Sequence, residues 1–272
     1  MEKAFSVNTP FFNPKDTLEC GQVFRYKKLE NGDYQVISKD KICLIKENPS
    51  GGFDFYTKDG EYFYNYFDFQ TDYQVIYDNL INLPLMKDAI PKGMGIRILK
   101  QDSFEALIGF IISANNHIPR IKGIIEKICE NLGENMGDFY AFPTPLAMAK
   151  AGQEFYKSIG AGYRDRYLAE TSRDIARGNF SLEVIATLPT EKAKKELCKL
   201  LGVGGKVADC ILQYGFGRSD VFPTDTWIKK MYKRAFGENT LSGEEIREKL
   251  VGIYGNYSGF AQQYLFYAER ES

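Results

Sequence analysis

Leu200-Leu201-Gly202-Val203-Gly204-Gly205-Lys206-Val207-Ala208-Asp209 is the stretch from which the architecture of this 272-residue chain is best read. Helical patterning precedes it from Glu191 to Leu200 and resumes from Lys206 to Tyr214, so two helices meet at a tight glycine-rich turn. The three glycines permit positive φ and a close approach of the backbone to another molecule. The first N–H groups of the second helix point outward without intrahelical partners, which suits an anion such as phosphate. A plain helical hairpin with a glycine cap explains the same string, and the string by itself leaves both readings open. A P-loop does not fit. It requires GxxxxGK[ST] after a strand, whereas here Val207 follows Lys206 and a helix precedes the turn.

Lys206 stands in the first turn of the second helix, where the helix dipole disfavours a cation by up to about 1 kcal/mol. A solvated lysine tolerates that. With partial burial the same field is expected to lower its pKa and leave some neutral amine, as a nucleophilic lysine requires. Asp225 follows 19 residues later in Phe222-Pro223-Thr224-Asp225-Thr226-Trp227 and is expected to N-cap the next helix. One helix and one return loop separate the pair, so both stand at the starts of consecutive helices on one side of the fold. A carboxylate so placed can also stabilise positive charge developing on a reacting group.

Outward from this hairpin the chain divides in character. Gln22 to Tyr26, Tyr34 to Ile37, Ile42 to Ile45 and Phe53 to Tyr56 read as short antiparallel strands, with Asn31-Gly32 as the turn between the first two. From about Tyr62 the period becomes helical. Asp102-Ser103 caps one helix; Pro119 opens the next, which Gly133 ends; Thr144-Pro145 starts a third, ending near Gly152. Tyr163 to Arg177 forms a fourth. Thr190 caps Glu191 to Leu200, Asp225 caps Thr226 to Phe236, Ser242 with Glu245 makes a capping box, and Ser258 to Arg270 closes the chain. The expected class is α+β: an N-terminal antiparallel sheet unit over 1–100 packed on a mostly helical body over 101–272. The hairpin spans about 190–216 of that body, with a cleft between the two units.

Composition narrows the chemistry. The single histidine, His117, cannot build a histidine metal centre or a Ser-His-Asp triad. The five cysteines lack CxxC spacing, which argues against a disulfide framework and a thiolate metal site, so no metal is expected. No apolar run approaches a membrane span and no signal-peptide core opens the chain, so a cytoplasmic location is expected. The net charge of −1 speaks against nucleic acid, yet Glu191 to Arg234 carries ten basic and five acidic residues around the hairpin. Such a run is ordinarily a solvated helix face.

The run from Leu201 through Lys206 and Cys210 to Pro223-Thr224-Asp225 resembles the hairpin and Asp loop of the helix-hairpin-helix DNA glycosylases. A lysine at 206 is similar to the 8-oxoguanine DNA glycosylase/AP lyase branch. Gly21-Gln22-Val23-Phe24-Arg25, Arg97 to Asp102, Ile112 to Asn116 with Arg120, Gly162-Tyr163-Arg164, and Ala261-Gln262 with Phe266 agree with that branch. The resemblance implies excision of 8-oxoguanine from duplex DNA, with Lys206 attacking C1′ to give a Schiff base and β-elimination following. It makes Asp225 the stabiliser of the oxocarbenium-like transition state. Gly21, Cys210, Gln262 and Phe266 would form the lesion-base pocket, with the Gly21 carbonyl accepting from N7–H. Asn115, Arg120, Tyr163 and Arg164 would fill the vacated space, wedge the stack and read the orphaned cytosine. Gly202, Val203, Gly204 and Gly205 would hold phosphate. It further implies a monomer that needs no cofactor for the chemistry, a monovalent cation at the hairpin when DNA binds, and residence with the nucleoid, or the nucleus of a eukaryote. Each residue also has a structural reading: Phe266 and Cys210 as core, Arg120 and Arg164 as solvated, Gly21 as a turn. Trp227 departs from the histidine that such proteins often carry there, and Leu201 from their proline. An alkylpurine-type glycosylase without a lysine nucleophile and a non-enzymatic DNA-binding hairpin module are the alternatives.

Overall fold

Side chains of the first sixty residues alternate between a covered and an open face, and the sheet follows from that. Tyr34, Val36 and Ser38 are buried while Gln35 and Ile37 are only partly so. The computed structural model describes residues 1–237 and 240–271. Strands β1 (Lys3–Val7), β2 (Tyr26–Lys28), β3 (Tyr34–Ser38), β4 (Lys41–Glu47) and β5 (Phe53–Tyr56) form one antiparallel sheet in the order β1-β5-β4-β3-β2. Tyr34 pairs with Ile45 and Val36 with Cys43, which sets the buried row of both central strands on one face. Gly32, at φ 90°, turns β2 into β3.

The strand expected at Gln22–Tyr26 begins only at Tyr26. Gln22 to Arg25 is buried for another reason. The Gln22 side-chain amide donates to the carbonyls of Thr17 and Arg97, both at 2.8 Å, and its Oε1 accepts from Leu99 N at 2.9 Å. Two separated motifs of the sequence are thus one structural joint. β1 was not anticipated, because this edge strand is largely exposed and shows no clean alternation. Phe5 nevertheless stacks on Phe55 with ring centres 4.5 Å apart.

The helices are α1 (Pro14–Glu19), α2 (Gly60–Tyr66), α3 (Tyr73–Leu80), α4 (Met86–Gly93), α5 (Ser103–Ser113), α6 (Ile118–Leu132), α7 (Pro145–Ser158), α8 (Asp165–Ala176), α9 (Leu182–Thr187), α10 (Thr190–Leu197), α11 (Gly205–Phe216), α12 (Thr226–Phe236), α13 (Gly243–Tyr254) and α14 (Ser258–Arg270). The caps at Asp102, Thr144 and Asp225 and the Ser242–Glu245 box all form. Gly152, at φ 73°, breaks α7 near the expected end of that helix. Thr190 is already helical, and the cap position falls to Pro189, whose carbonyl accepts from Ala193 N.

Three cores hold these elements. Phe12, Leu18, Phe63, Phe67 and Leu99 cover the sheet. Leu107, Ile111, Ile125, Leu168 and Ile211 join α5, α6, α8 and α11. Leu80, Met86, Ile90, Ile228, Leu250 and Leu265 tie α3 and α4 to α12–α14. The last core places α14 against α4 and beside the Gly21 turn. Among the described residues no helix is long and apolar enough to cross a membrane.

Candidate active site and nucleic-acid interface

Gly202 holds φ at 86°, and a Cβ there would meet the Tyr167 ring at 2.4 Å. Both the backbone angle and the space therefore demand glycine. Leu200, Val203 and Val207 are buried and pin the two helices of the hairpin together. Gly204 is exposed and occupies the N-cap of α11, so the first N–H groups of that helix face open solvent beside it. A helix start of this kind suits an anion.

Lys206 is the second residue of α11 and is exposed to solvent at the helix start, although protein atoms crowd its amine enough to desolvate it. Its Nζ lies 5.9 Å from the centre of the Phe110 ring on α5, which itself stacks on Tyr214. Cys210 follows one turn later. The amine is held above its ordinary pKa, first by the Cys210 sulfur as thiolate and also by the Asp225 carboxylate, against the lowering effect of burial. The expected lowering is thereby corrected: neighbouring anions outweigh desolvation and the dipole. Burial pushes the Cys210 thiol up, against the opposing pull of the Lys206 ammonium beside it. Asp225 caps α12, accepting from Ile228 N at 2.9 Å, and remains half-buried at the start of that helix. The two candidate catalytic groups thus face each other electrostatically from consecutive helix starts.

The base-pocket residues come from three distant segments. Gly21, at φ 92°, leaves a gap whose nearest side chains are Arg270 at 3.7 Å and Phe266 at 4.0 Å from a notional Cβ. Cys210 is buried on α11, Phe266 half-buried on α14, and Gln262 buried one turn before Phe266. The Gln262 Oε1 is buried with no hydrogen-bond partner among the described residues. A buried acceptor left unpaired is costly, so it is ready for a donor from a bound group. Arg270, which sequence reasoning did not single out, spans Phe266 and Tyr267 with its guanidinium 5.9 and 5.5 Å from the ring centres.

Two of the residues expected at the opposite strand, Tyr163 and Arg164, converge on one carbonyl. Ala114 O, at the end of α5, accepts from Tyr163 Oη at 3.1 Å and from both Nε and Nη2 of Arg164. Arg164 also donates to Asn115 O at 2.9 Å, and Asn115 stands at φ 51°. Arg164 is only 2% exposed, so in this arrangement it is neither solvated nor free to meet a base. Contact with an orphaned base requires Ala114 and Asn115 to release it. Arg120 is exposed and donates to Gly160 O at 3.0 Å, while Tyr163 is exposed with its ring under the Arg164 guanidinium. Phe110 and Arg270 escaped notice because an apolar helix residue and a terminal arginine carry no pattern of their own.

Two family descriptions match the chain: 8-oxoguanine DNA glycosylase, N-terminal domain, over residues 4–107, and HhH-GPD superfamily base excision DNA repair protein over residues 108–254. An N-glycosylase/DNA lyase of Arabidopsis thaliana is 32% identical over 192 residues, 64% of this chain and 52% of that protein. The chain therefore spans about half the length of that relative. A probable N-glycosylase/DNA lyase of Methanothermobacter thermautotrophicus is 31% identical over 76% of this chain and 72% of its own. The 8-oxoguanine glycosylase/lyase of Clostridium acetobutylicum, solved with double-stranded DNA containing cytosine opposite 8-oxoguanine, superposes with a TM-score of 0.92. Its identity is 38%, covering 100% of this chain and 99% of the other. With its hairpin, its lysine and its N-terminal sheet all accounted for, the chain belongs to the 8-oxoguanine DNA glycosylase/AP lyase family of the helix-hairpin-helix base excision repair superfamily.

Proposed function

We propose that the chain is a bifunctional DNA glycosylase/AP lyase that flips 8-oxoguanine out of duplex DNA and excises it in base excision repair. The observation that carries this reading is the pairing of Lys206 with Asp225 at two successive helix starts, with Cys210 beside the lysine and Phe266 beside Gly21. Lys206, once it has lost its proton, attacks C1′ with its lone pair. The bond from C1′ to N9 breaks, and the base leaves with that electron pair and takes up a proton. The Asp225 carboxylate stabilises the positive charge on the sugar as the bond opens. Ring opening then gives the Schiff base; loss of a C2′ proton expels the 3′ phosphate by β-elimination.

In this reading the Gly21 carbonyl accepts from N7–H, Phe266 and Cys210 enclose the base, and Gln262 meets its Watson–Crick edge. Tyr163 wedges the stack, Asn115 fills the vacated space, and Arg120 and Arg164 read the opposite cytosine. Gly202 to Gly205 grip phosphate. The backbone carbonyls of 201–203 accept no backbone hydrogen bond among the described residues. In this reading those carbonyls hold a monovalent cation when DNA binds, and the chemistry itself uses no cofactor. The protein acts as a monomer in the compartment that holds DNA, the cytoplasm or a eukaryotic nucleus. Residues 1–100 and 101–272 supply the two sides of the lesion cleft.

An alkylpurine glycosylase or a phosphate-holding module leaves Lys206 beside Asp225 without a purpose. The test is excision from a duplex with one 8-oxoguanine opposite cytosine, with borohydride present, for wild type and Lys206→Gln. A covalent adduct that needs Lys206 supports the reading. An adduct of normal yield in the variant overturns it.

A further inference from the structure

Beneath the hairpin five charged side chains meet from three helices: Glu191 and Lys194 on α10, Asp209 on α11, and Glu244 and Arg247 on α13. Lys194 Nζ lies 3.2 Å from Asp209 Oδ2 and 2.7 Å from Glu244 Oε1. Arg247 sets Nε 2.8 Å from the same Oδ2 and Nη2 2.8 Å from Glu191 Oε1. Lys194, Asp209 and Arg247 are buried, whereas the two glutamates reach solvent. Both cations therefore converge on one oxygen of Asp209. Its other oxygen, Oδ1, is buried with no partner among the described residues. Such a carboxylate is half satisfied and accepts a proton readily. Burial holds its pKa up at about 6, against the opposing pull of Arg247 and Lys194.

This cluster touches the catalytic helix directly. A Cβ on Gly205 would lie 3.2 Å from Glu244 Oε2 and 3.5 Å from Lys194 Cε. Gly205 immediately precedes Lys206, and Asp209 follows Lys206 by just under one turn. Cys198 just after α10 and Cys210 beside it on α11 also face Asp209 among the described residues.

We propose that Asp209 is a positioning residue for Lys206, gathering Lys194 and Arg247 so that the first turns of α11 are fixed against α10 and α13. The proposal rests on Lys206 being the nucleophile. Once Asp209 gains a proton, the two buried cations keep only Glu191 and Glu244, whose side chains can follow solvent. The start of α11 then loses its common anchor, and the Lys206 amine loses its aim at C1′. Misplacement of a reacting group by about 1 Å slows a reaction by up to about a hundredfold. The active form carries the ionised carboxylate, so the rate falls as pH drops through about 6.

The experiment is single-turnover excision of 8-oxoguanine opposite cytosine from about pH 5 to about pH 8.5. It compares wild type, Asp209→Asn, Arg247→Lys and Lys206→Gln. Wild type is expected to show an extra acid limb near pH 6, below which the rate falls more steeply than the loss of neutral Lys206 alone requires. Asp209→Asn should be roughly ten- to a hundredfold slower at pH 7.5, lack that limb, bind duplex with wild-type affinity and still form the borohydride adduct. Arg247→Lys keeps the charge but not the two-point geometry, and should lose part of the rate. If Asp209→Asn does not fold, the wild-type limb and the Arg247→Lys rate carry the test. A wild-type rate and an unchanged limb in Asp209→Asn overturn the proposal, as does a wild type without the limb alongside a full rate in Arg247→Lys. Persisting adduct in Lys206→Gln instead removes the nucleophile reading itself, and the proposal falls with it.

Discussion

The two halves of the candidate site are built on opposite plans. Lys206, Asp225 and Cys210 sit at or near helix starts whose positions are fixed by caps, buried apolar pins and the charge cluster under the hairpin. Each of these groups is held by the fold itself. Around Ala114 the reverse holds. The side chains expected to meet the opposite strand spend their donors on protein carbonyls: Tyr163 and Arg164 on Ala114, Arg120 on Gly160. DNA must offer replacement acceptors before these groups can serve it. In the proposed reading the catalytic pair is preassembled, while the residues assigned to recognition are held by bonds to Ala114 and Gly160.

That contrast can be broken at either end. Lys206→Gln should lower single-turnover excision by roughly a thousandfold or more and abolish the borohydride adduct, with duplex binding intact. Asp225→Asn should cost about a hundred- to a thousandfold in excision. Asparagine caps helices about as well as aspartate, so the melting temperature should scarcely change. Unchanged turnover would take Asp225 out of the mechanism. On the recognition side, Arg164→Ala removes a buried guanidinium and bares the Ala114 and Asn115 carbonyls. Its unfolding free energy in urea should fall by about 2–3 kcal/mol, with weaker preference for cytosine opposite the lesion. Wild-type stability in that variant would mean the Ala114 knot carries little.

Gly202→Ala forces a Cβ into both a left-handed backbone and the Tyr167 ring, and should lower stability by about 1–3 kcal/mol. Calorimetry measures this, and an unperturbed melting curve would contradict the packing described. The smallest effect is on pH. Because the Cys210 sulfur, and after it the Asp225 carboxylate, hold the Lys206 amine above its ordinary pKa, the neutral fraction grows as pH rises above 7. Schiff-base formation should then climb by up to about tenfold per pH unit until the amine has titrated. A rate falling over that range would contradict the sign.

Much of the fold was legible because its signals are local. Asp102, Thr144, Asp225 and the Ser242–Glu245 box announce helix starts through side chains that bond their own backbone. Gly202 betrays the hairpin because no other residue tolerates its angle and its neighbour. The misses arise where burial comes from distant partners. Gln22 looked like a strand residue, yet it is buried by bonds to Thr17, Arg97 and Leu99. Asp209 read as one more residue of a charged run, because its partners lie on α10 and on α13. Neither reading of Arg164, as a contact to the opposite base or as a solvated cation, anticipates its burial on the Ala114 carbonyl, for the same reason. Within the site, residue identities were legible, but the state of Lys206 was not. Its protonation depends on Cys210 and Asp225 as neighbours in space, which the helix dipole argument alone did not weigh.

The central claim is that Lys206 forms the covalent bond to the sugar. Its most direct test is to reduce the intermediate with borohydride on a duplex carrying one 8-oxoguanine, digest the protein and locate the modified residue by mass spectrometry. The account predicts a single adduct on the peptide containing Lys206. An adduct mapping to another lysine or to the amino terminus, with the Lys206 peptide unmodified, would contradict it.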